Sequence, residues 1–470
     1  MNTKNKRKAS ITFWIYLFIC TLSVSAIADT KTDKVDKLFT KWDSEKSPGA
    51  SLAIIHEGEI IYKRGYGMAN LEHDVPITPQ TVFRIGSTSK QFTAACIAIL
   101  SLQGKLSLDD NIRKYLPELP AYGKPITVRH LVHHTSGIRD YLTLARLSGK
   151  TDNDFYSTED TVAMIARQKG LNFVPGDEYL YSNSGYFLLG VIVSRVSGKS
   201  LNDFAQEHIF KPLGMNNTHY HDDYTKIVKN RADGHRWTRT GFKILNTTLN
   251  HVGDGGVFTT VEDLYLWDQA FYHHKLGKDL MDLLHRTGEL NDGENLDYAF
   301  GLRVQNYKGL QLVGHGGGFV GFRVDMIRFP EEKFSVICLV NYPAIDPSAM
   351  CRKIADIYLA DKIAEEKNPE GDRETRRKKA PAAIPIKPEQ LNVYPGSYYN
   401  EELPATYILV VEKEKLYFKH RNAPRGALIF IGEDAFRSGY GKVSFQRGAE
   451  NKVAGFYLDA GRVRIHFTKK

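Results

Sequence analysis

Cysteine is scarce in this chain: four in 470 residues, one of them (Cys20) inside an N-terminal apolar run. No C-x-x-C pair and no Cys/His cluster at zinc spacing occurs, which excludes zinc ribbons and thioredoxin-like redox motifs. A G-x-S-x-G elbow is also missing, which argues against an α/β-hydrolase. Internal repeats are absent, and so is any series of membrane-length apolar runs, so solenoids and multi-span membrane proteins are excluded. What remains is ordinary: 42% hydrophobic and 25% charged residues, the composition of a globular protein. At roughly 100–200 residues per domain, the length predicts one large core plus a smaller module.

The formal charge of +9 invites a nucleic-acid reading, and the position of the charge answers it. Lys4, Lys6, Arg7 and Lys8 precede the apolar run 11–24 and the small-residue site Ala26-Ile27-Ala28. That order is a secretory signal cut after Ala28, predicting an exported, periplasmic or secreted protein. Contact with a membrane is expected only through this segment, were it left uncut as an anchor. Its loss removes four cations and leaves +5. The run Arg376–Lys379 is short and carries no aromatics, so it reads as a solvated linker, and no nucleic-acid partner is expected. Cys96, Cys338 and Cys351 lie in apolar stretches and read as buried free thiols. An oxidising compartment would permit Cys338 and Cys351 to pair, which their spacing alone does not show.

After the signal (1–28) the chain divides into a domain over 30–363, a charged, Pro-containing linker over 364–390 and a module over 391–470. The first part mixes helices with hairpin-linked strands, predicting an α+β fold with an antiparallel sheet. Helices are expected at 34–42, 91–102, 186–196, 201–209 and 347–363. Strands are expected at 50–55, 60–66, 300–304, 321–329 and 334–339. The last 80 residues read as short strands between turns, a small all-β barrel or sandwich.

Chemistry concentrates in three places. Ser87-Thr88-Ser89-Lys90 heads an apolar helix, and residues three apart share a helix face. A serine hydroxyl needs a base, and a desolvated lysine supplies one. Tyr181-Ser182-Asn183 stands in a polar loop before a helix, where a phenol and an amide can serve a substrate. Gly314-His315-Gly316-Gly317-Gly318 opens a strand-rich stretch whose glycines let a backbone N–H approach a developing oxyanion.

In this order the three segments resemble the motifs of the class C β-lactamase-related serine hydrolases, which include DD-peptidases, D-aminopeptidases and esterases. The similarity runs from about 50 to 341 and includes Thr127 to Leu131, His134 to Gly137, Pro212 to Met215 and Gly255 to Thr260. It implies a penicillin-recognising fold, an α/β lobe with an antiparallel sheet joined to a helical lobe. Residue by residue, it implies Ser87 as the acylated nucleophile, Lys90 as its base and Tyr181 as the proton shuttle to the leaving group. Asn183, His315 and Gly317 would bind substrate, and the N–H groups of Ser87 and Gly318 would form the oxyanion hole, with neither metal nor cofactor. Typical class C enzymes carry Lys-Thr-Gly where this chain has His315-Gly316-Gly317. An imidazole is a weak carboxylate partner at neutral pH, so a peptidase or esterase is favoured over a β-lactamase. Its expected partners are small-molecule or peptide substrates, cell-wall peptides among them. A β-lactamase and a non-catalytic penicillin-binding-like protein are the alternatives. The C-terminal module is expected to cap the cleft or set specificity.

Three further features read as structural. Gly316-x-Gly318-x-x-Gly321 is followed by a strand-like run rather than the helix a dinucleotide site needs. His130, His133 and His134 have no carboxylate at zincin spacing and are expected to be satisfied without metal. Arg323 reads as a solvated strand-edge residue rather than a carboxylate binder.

Overall fold

The computed structural model describes residues 30–151, 154–364, 382–420 and 426–470. The expected signal, 1–28, and the basic run 376–379 lie outside the described residues.

Two apolar runs, β1 (Ala50–His56) and, far along the chain, Phe334–Val340, are buried along almost their whole length. Such strands belong inside a sheet covered on both faces. With β1 and β2 (Glu59–Tyr66), the sheet contains β3 (Arg303–Tyr307), β4 (Leu310–Phe319), β5 (Phe322–Phe329) and β6 (Phe334–Val340). Its order is β3-β4-β5-β6-β1-β2, with every pair antiparallel. The β1–β2 hairpin turns at Glu57 and Gly58, both at positive φ, which matches the twist of the flanking strands. Helices α1 (Lys31–Phe39), α2 (Lys90–Leu102), α3 (Asn183–Ser197), α4 (Val261–His273) and α5 (Pro347–Tyr358) complete the frame.

One sheet face is covered by α1 and α5, whose Val35, Phe39, Cys351 and Ile354 cluster with Leu52, Ile54 and Val336. On the other, Leu264 and Trp267 of α4 join Ala53, Ile55 and Ile337. The buried pair Arg328–Asp268, at 2.8 Å, ties α4 to β5. Almost all of α2 is buried, its small Ala94, Ala95 and Ala98 admitting neighbours on every side. Phe92 packs at 4.8 Å from Trp267 and 5.3 Å from Phe210, so α2 joins the sheet to the helical lobe around α3. This is the α+β architecture expected.

The C-terminal module is a near-closed barrel rather than a sandwich. Its strands are β7 (Gly396–Asn400), β8 (Ala405–Glu412), β9 (Lys415–Lys419), β10 (Ile429–Gly432), β11 (Ala435–Arg437), β12 (Lys442–Arg447), β13 (Val453–Asp459) and β14 (Arg464–Lys469). They run in the order β9-β8-β7-β14-β13-β12-β11-β10, and a bridge from Leu416 to Leu428 brings the edges together. Alternation decides the inside: Tyr398, Tyr407, Phe436, Phe456 and Phe467 fill it.

Several expected boundaries move. The strand expected at 300–304 begins at Arg303, and the helix expected to reach 363 ends at Tyr358. Helix 201–205 passes into a π-type turn over 206–210. Arg323 is not at a sheet edge, because β5 lies between β4 and β6; its Nη1 donates to the Val320 and Phe322 carbonyls instead. All three described cysteines are free and buried.

Candidate active site

The nucleophile candidate is positioned by a backbone that only glycine allows. Gly86, at φ +51°, turns the chain from Ile85 into the 3-10 turn Gly86–Ser89, which leads directly into α2. A Cβ on Gly86 would stand 2.7 Å from the Gly318 nitrogen, and one on Gly317 would stand 2.0 Å from the Ile85 carbonyl oxygen. The turn is therefore pressed against β4, bringing Ser87 beside Gly318. Residues i and i+3 eclipse in a 3-10 turn, which sets Ser87 over Lys90. The other serine of the motif is spent on structure: the Ser89 hydroxyl accepts from the Val257 N–H.

Lys90 Nζ is fully buried and donates to Ser87 Oγ at 3.1 Å, Asn183 Oδ1 at 3.0 Å and the Asp254 carbonyl at 2.5 Å. Burial pulls its pKa down to about 8, against the attraction of Asp254 and Asp140. Burial likewise raises the pKa of the Asp254 carboxyl, whose Oδ2 accepts from Tyr141. Its carbonyl faces Lys90, so Asn183 Nδ2 has no hydrogen-bond partner among the described residues, and its backbone N–H donates to Asp140. Asn183 thus opens α3 instead of sitting in the preceding loop.

Burial raises Tyr181 well above an ordinary phenol, so it is a proton donor at neutral pH. Neighbouring Ser87 lowers it somewhat, although the hydroxyl completes no hydrogen bond of normal geometry. His134 packs at a tilt against Tyr181, ring centroids 4.3 Å apart, and its Nδ1 accepts from the Ser182 N–H. His133 meets the Tyr298 carbonyl and His130 accepts from the Thr127 N–H, so the three histidines diverge to three backbone partners. Among the described residues, no group of three or more His, Cys, Asp and Glu is placed to hold a metal.

His315 lines the cleft, but its ring is engaged by the protein itself. Its ring is buried, with Nε2 on the Tyr298 hydroxyl at 3.1 Å and Nδ1 on the Gly316 carbonyl at 2.6 Å. Burial, aided by Lys90, pushes its pKa down to about 3. A neutral ring with both nitrogens engaged holds strand β4 in place; it does not offer itself to a substrate carboxylate.

A cleft of about 520 Å³ collects Ser87, Tyr181, Asn183, His315 and Gly318. Among the residues around them that belong to none of the three motifs are Arg84, Tyr141, Asp254, Arg303 and Arg462. Arg303 is engaged by Asp297 and Tyr179. Arg462 comes from the turn between β13 and β14 of the barrel. Its guanidinium lies 4.7 Å from the centre of the Tyr181 ring. The Arg462 carbonyl accepts from the Asp140 N–H and from Asn172, pinning the turn to the cleft rim.

This two-lobed fold, with a serine and a buried lysine at the junction, is that of the penicillin-binding-protein and β-lactamase-like serine hydrolases. The chain belongs to the Beta-lactamase family, whose model matches residues 35–357. It is 30% identical over 331 residues to Penicillin-binding protein 4* of Bacillus subtilis (strain 168), covering 66% of this chain and 72% of that one. A D-aminopeptidase of Gluconobacter oxydans (strain 621H) is 30% identical over 303 residues, covering 63% of this chain. The match spans only 56% of that D-aminopeptidase's length. The solved octameric penicillin-binding protein homologue from Pyrococcus abyssi aligns with 94% of this chain and all of that one, at a TM-score of 0.64 and 25% identity.

Proposed function

We propose that the protein is an exported serine hydrolase that forms an acyl-enzyme on Ser87 and acts on peptides containing D-amino acids, or on related small amides and esters. The observation that carries this reading is the buried Lys90 ammonium, 3.1 Å from Ser87 Oγ, with its pKa lowered by burial. Once deprotonated, Lys90 takes the Ser87 proton as Oγ attacks the substrate carbonyl. The N–H groups of Ser87 and Gly318 receive the developing oxyanion, and Asn183 Nδ2 donates to the substrate amide. Tyr181, a neutral phenol, protonates the leaving group. Water then hydrolyses the ester on Ser87.

Arg462 refines the substrate. A cation over the Tyr181 ring lies on the leaving-group side, and it favours a leaving group that carries a free carboxylate. That points to the carboxypeptidase type, with cell-wall peptides as natural candidates. The D-aminopeptidase and penicillin-binding protein names of the relatives support the D-amino-acid class. A neutral, occupied His315 where β-lactamases carry lysine weighs against a dedicated β-lactamase.

The test is intact-mass detection of an adduct after exposure to a D-Ala-D-Ala peptide, a penicillin and a p-nitrophenyl ester. An adduct on the wild type that is absent from Ser87→Ala is expected, with faster turnover of the peptide than of the penicillin. No adduct and no turnover with any of the three would leave a non-catalytic binding protein.

A further inference from the structure

Of the cleft's cations that the mechanism does not use, Arg303 is held by Asp297 and Tyr179, and Arg84 is not so held. Arg84 ends the short strand Phe83–Arg84, three residues before Ser87, and is only 5% exposed. Its guanidinium lies between two rings, 5.7 Å from the centre of Phe258 and 5.2 Å from that of Phe319. Among the described residues it makes no ion pair, and its buried Nε has no hydrogen-bond partner. Asp254 acts on it only through space, its Oδ2 being bonded to Tyr141. Burial lowers the Arg84 pKa to about 10, which leaves it charged at neutral pH. Arg84 also borders a cavity of about 30 Å³. That space suits a water, not an organic anion. A buried charge without a partner is costly, so such an arrangement persists where a ligand supplies the counter-charge.

Its position says which part of a ligand that would be. Phe319 directly follows Gly318 on β4, so Arg84 lies next to the strand segment that carries the proposed oxyanion donor, in the same cleft as Ser87. Arg462 lies over Tyr181, on the leaving-group side. The two guanidiniums, neither in an ion pair among the described residues, line the same cleft as Ser87. We propose that Arg84 is a specificity-determining residue that binds a carboxylate on the acyl side, so that the preferred substrates carry an acidic acyl portion. This rests on the hydrolase reading above.

The test compares N-succinyl-D-alanine p-nitroanilide with N-butyryl-D-alanine p-nitroanilide. The two share a leaving group without a carboxylate, so Arg462 does not enter the comparison. A charged hydrogen bond predicts a wild-type kcat/KM ratio of roughly 10 or more in favour of the succinyl substrate, carried mostly by KM. In Arg84→Gln the ratio should fall to about one, and Arg84→Lys should restore part of it. Merely structural damage would slow both substrates together and leave the ratio standing, which would overturn the proposal. So would a wild-type ratio near one, which needs no variant and holds even if Arg84→Gln does not fold. Should neither anilide be cleaved, calorimetry on Ser87→Ala with N-succinyl- and N-butyryl-D-alaninamide separates the two ideas. Tighter binding of the succinyl amide that is lost when Arg84→Gln is added then upholds Arg84, whatever the adduct test decides about hydrolysis, and equal affinities sink Arg84.

Discussion

The hydrolase domain and the C-terminal barrel contribute to one cleft by opposite means. In the domain, Ser87 and Lys90 stand three residues apart where the turn enters α2, and geometry follows from sequence proximity plus two glycines that let β4 come close. In the barrel, an aromatic interior builds a rigid body. Its contribution is a single turn residue, Arg462, delivered across a domain boundary. Under the proposed function, the domain supplies the chemistry and the barrel biases what enters. Docking makes that bias dependable: Arg139 and Glu402 pair at 2.6 Å with side chains 8% and 14% exposed, and Tyr407 of the barrel wall donates to the Leu147 carbonyl.

The strongest way to break this division is Lys90→Met. Removing a general base typically costs on the order of 10²–10⁴-fold, so acylation of Ser87, followed by intact mass, should slow by about 10³-fold. A slowing of less than about tenfold would move the base elsewhere, Tyr181 being the next candidate. The second test attacks the docking. In Glu402→Ala, Arg139 stays buried without its carboxylate, and the Lys169 N–H loses an acceptor at 2.6 Å. Breaking a buried pair this way should destabilise the interface by about 3 kcal/mol. Hydrogen exchange should then speed up at 136–172 and 400–403 while the β1–β6 sheet stays protected. Equal acceleration everywhere would show that domain and barrel unfold as one unit.

How far sequence alone reaches differs between the two regions for the same reason. Ser87, Lys90, Tyr181, Asn183 and Gly318 stand in compact motifs, so their convergence on one cleft is legible in the sequence itself. Short strand-like runs between turns, such as 406–411, likewise reveal strands, though not whether they close into a barrel, since closure depends on the pairing of β7 with β14. Arg462 is beyond reach, because no local pattern marks which turn of a barrel faces another domain. His315 suggests a ligand for substrate only while its imidazole is taken as exposed; Tyr298 and the Gly316 carbonyl, which occupy it, are set by tertiary packing. Asp254 precedes a glycine-rich segment that resembles the family, but its closeness to Lys90 depends on a contact between residues 164 apart in the chain.

A smaller effect tests the barrel's part directly. Arg462→Gln should lower kcat/KM by roughly tenfold for a peptide ending in a free carboxylate, as expected for the loss of one partly solvated charged contact. The same peptide as its C-terminal amide should change little. If the amide suffers equally, Arg462 supports the turn rather than reading the substrate, and specificity belongs to the hydrolase domain alone.

The smallest expected effect joins the two regions most closely. Lys90 must be neutral to accept the Ser87 proton, so kcat/KM should rise with pH through the region of about 8 and level off above it. Burial is the main reason for that low value, with Asp254 and Asp140 opposing it; the Arg462 charge assists burial by disfavouring a second cation nearby. Removing Arg462 therefore makes the Lys90 ammonium easier to keep. Its pKa rises, and the ascending limb of the profile moves to higher pH. Measured with the C-terminal amide, where no substrate carboxylate is involved, Arg462→Gln should cost roughly twofold at pH 7 and nothing on the alkaline plateau. Arg462→Lys keeps the charge and should leave the limb where it was. A limb that moves the other way, or moves equally in both variants, would mean that the barrel shapes the cleft without reaching its base.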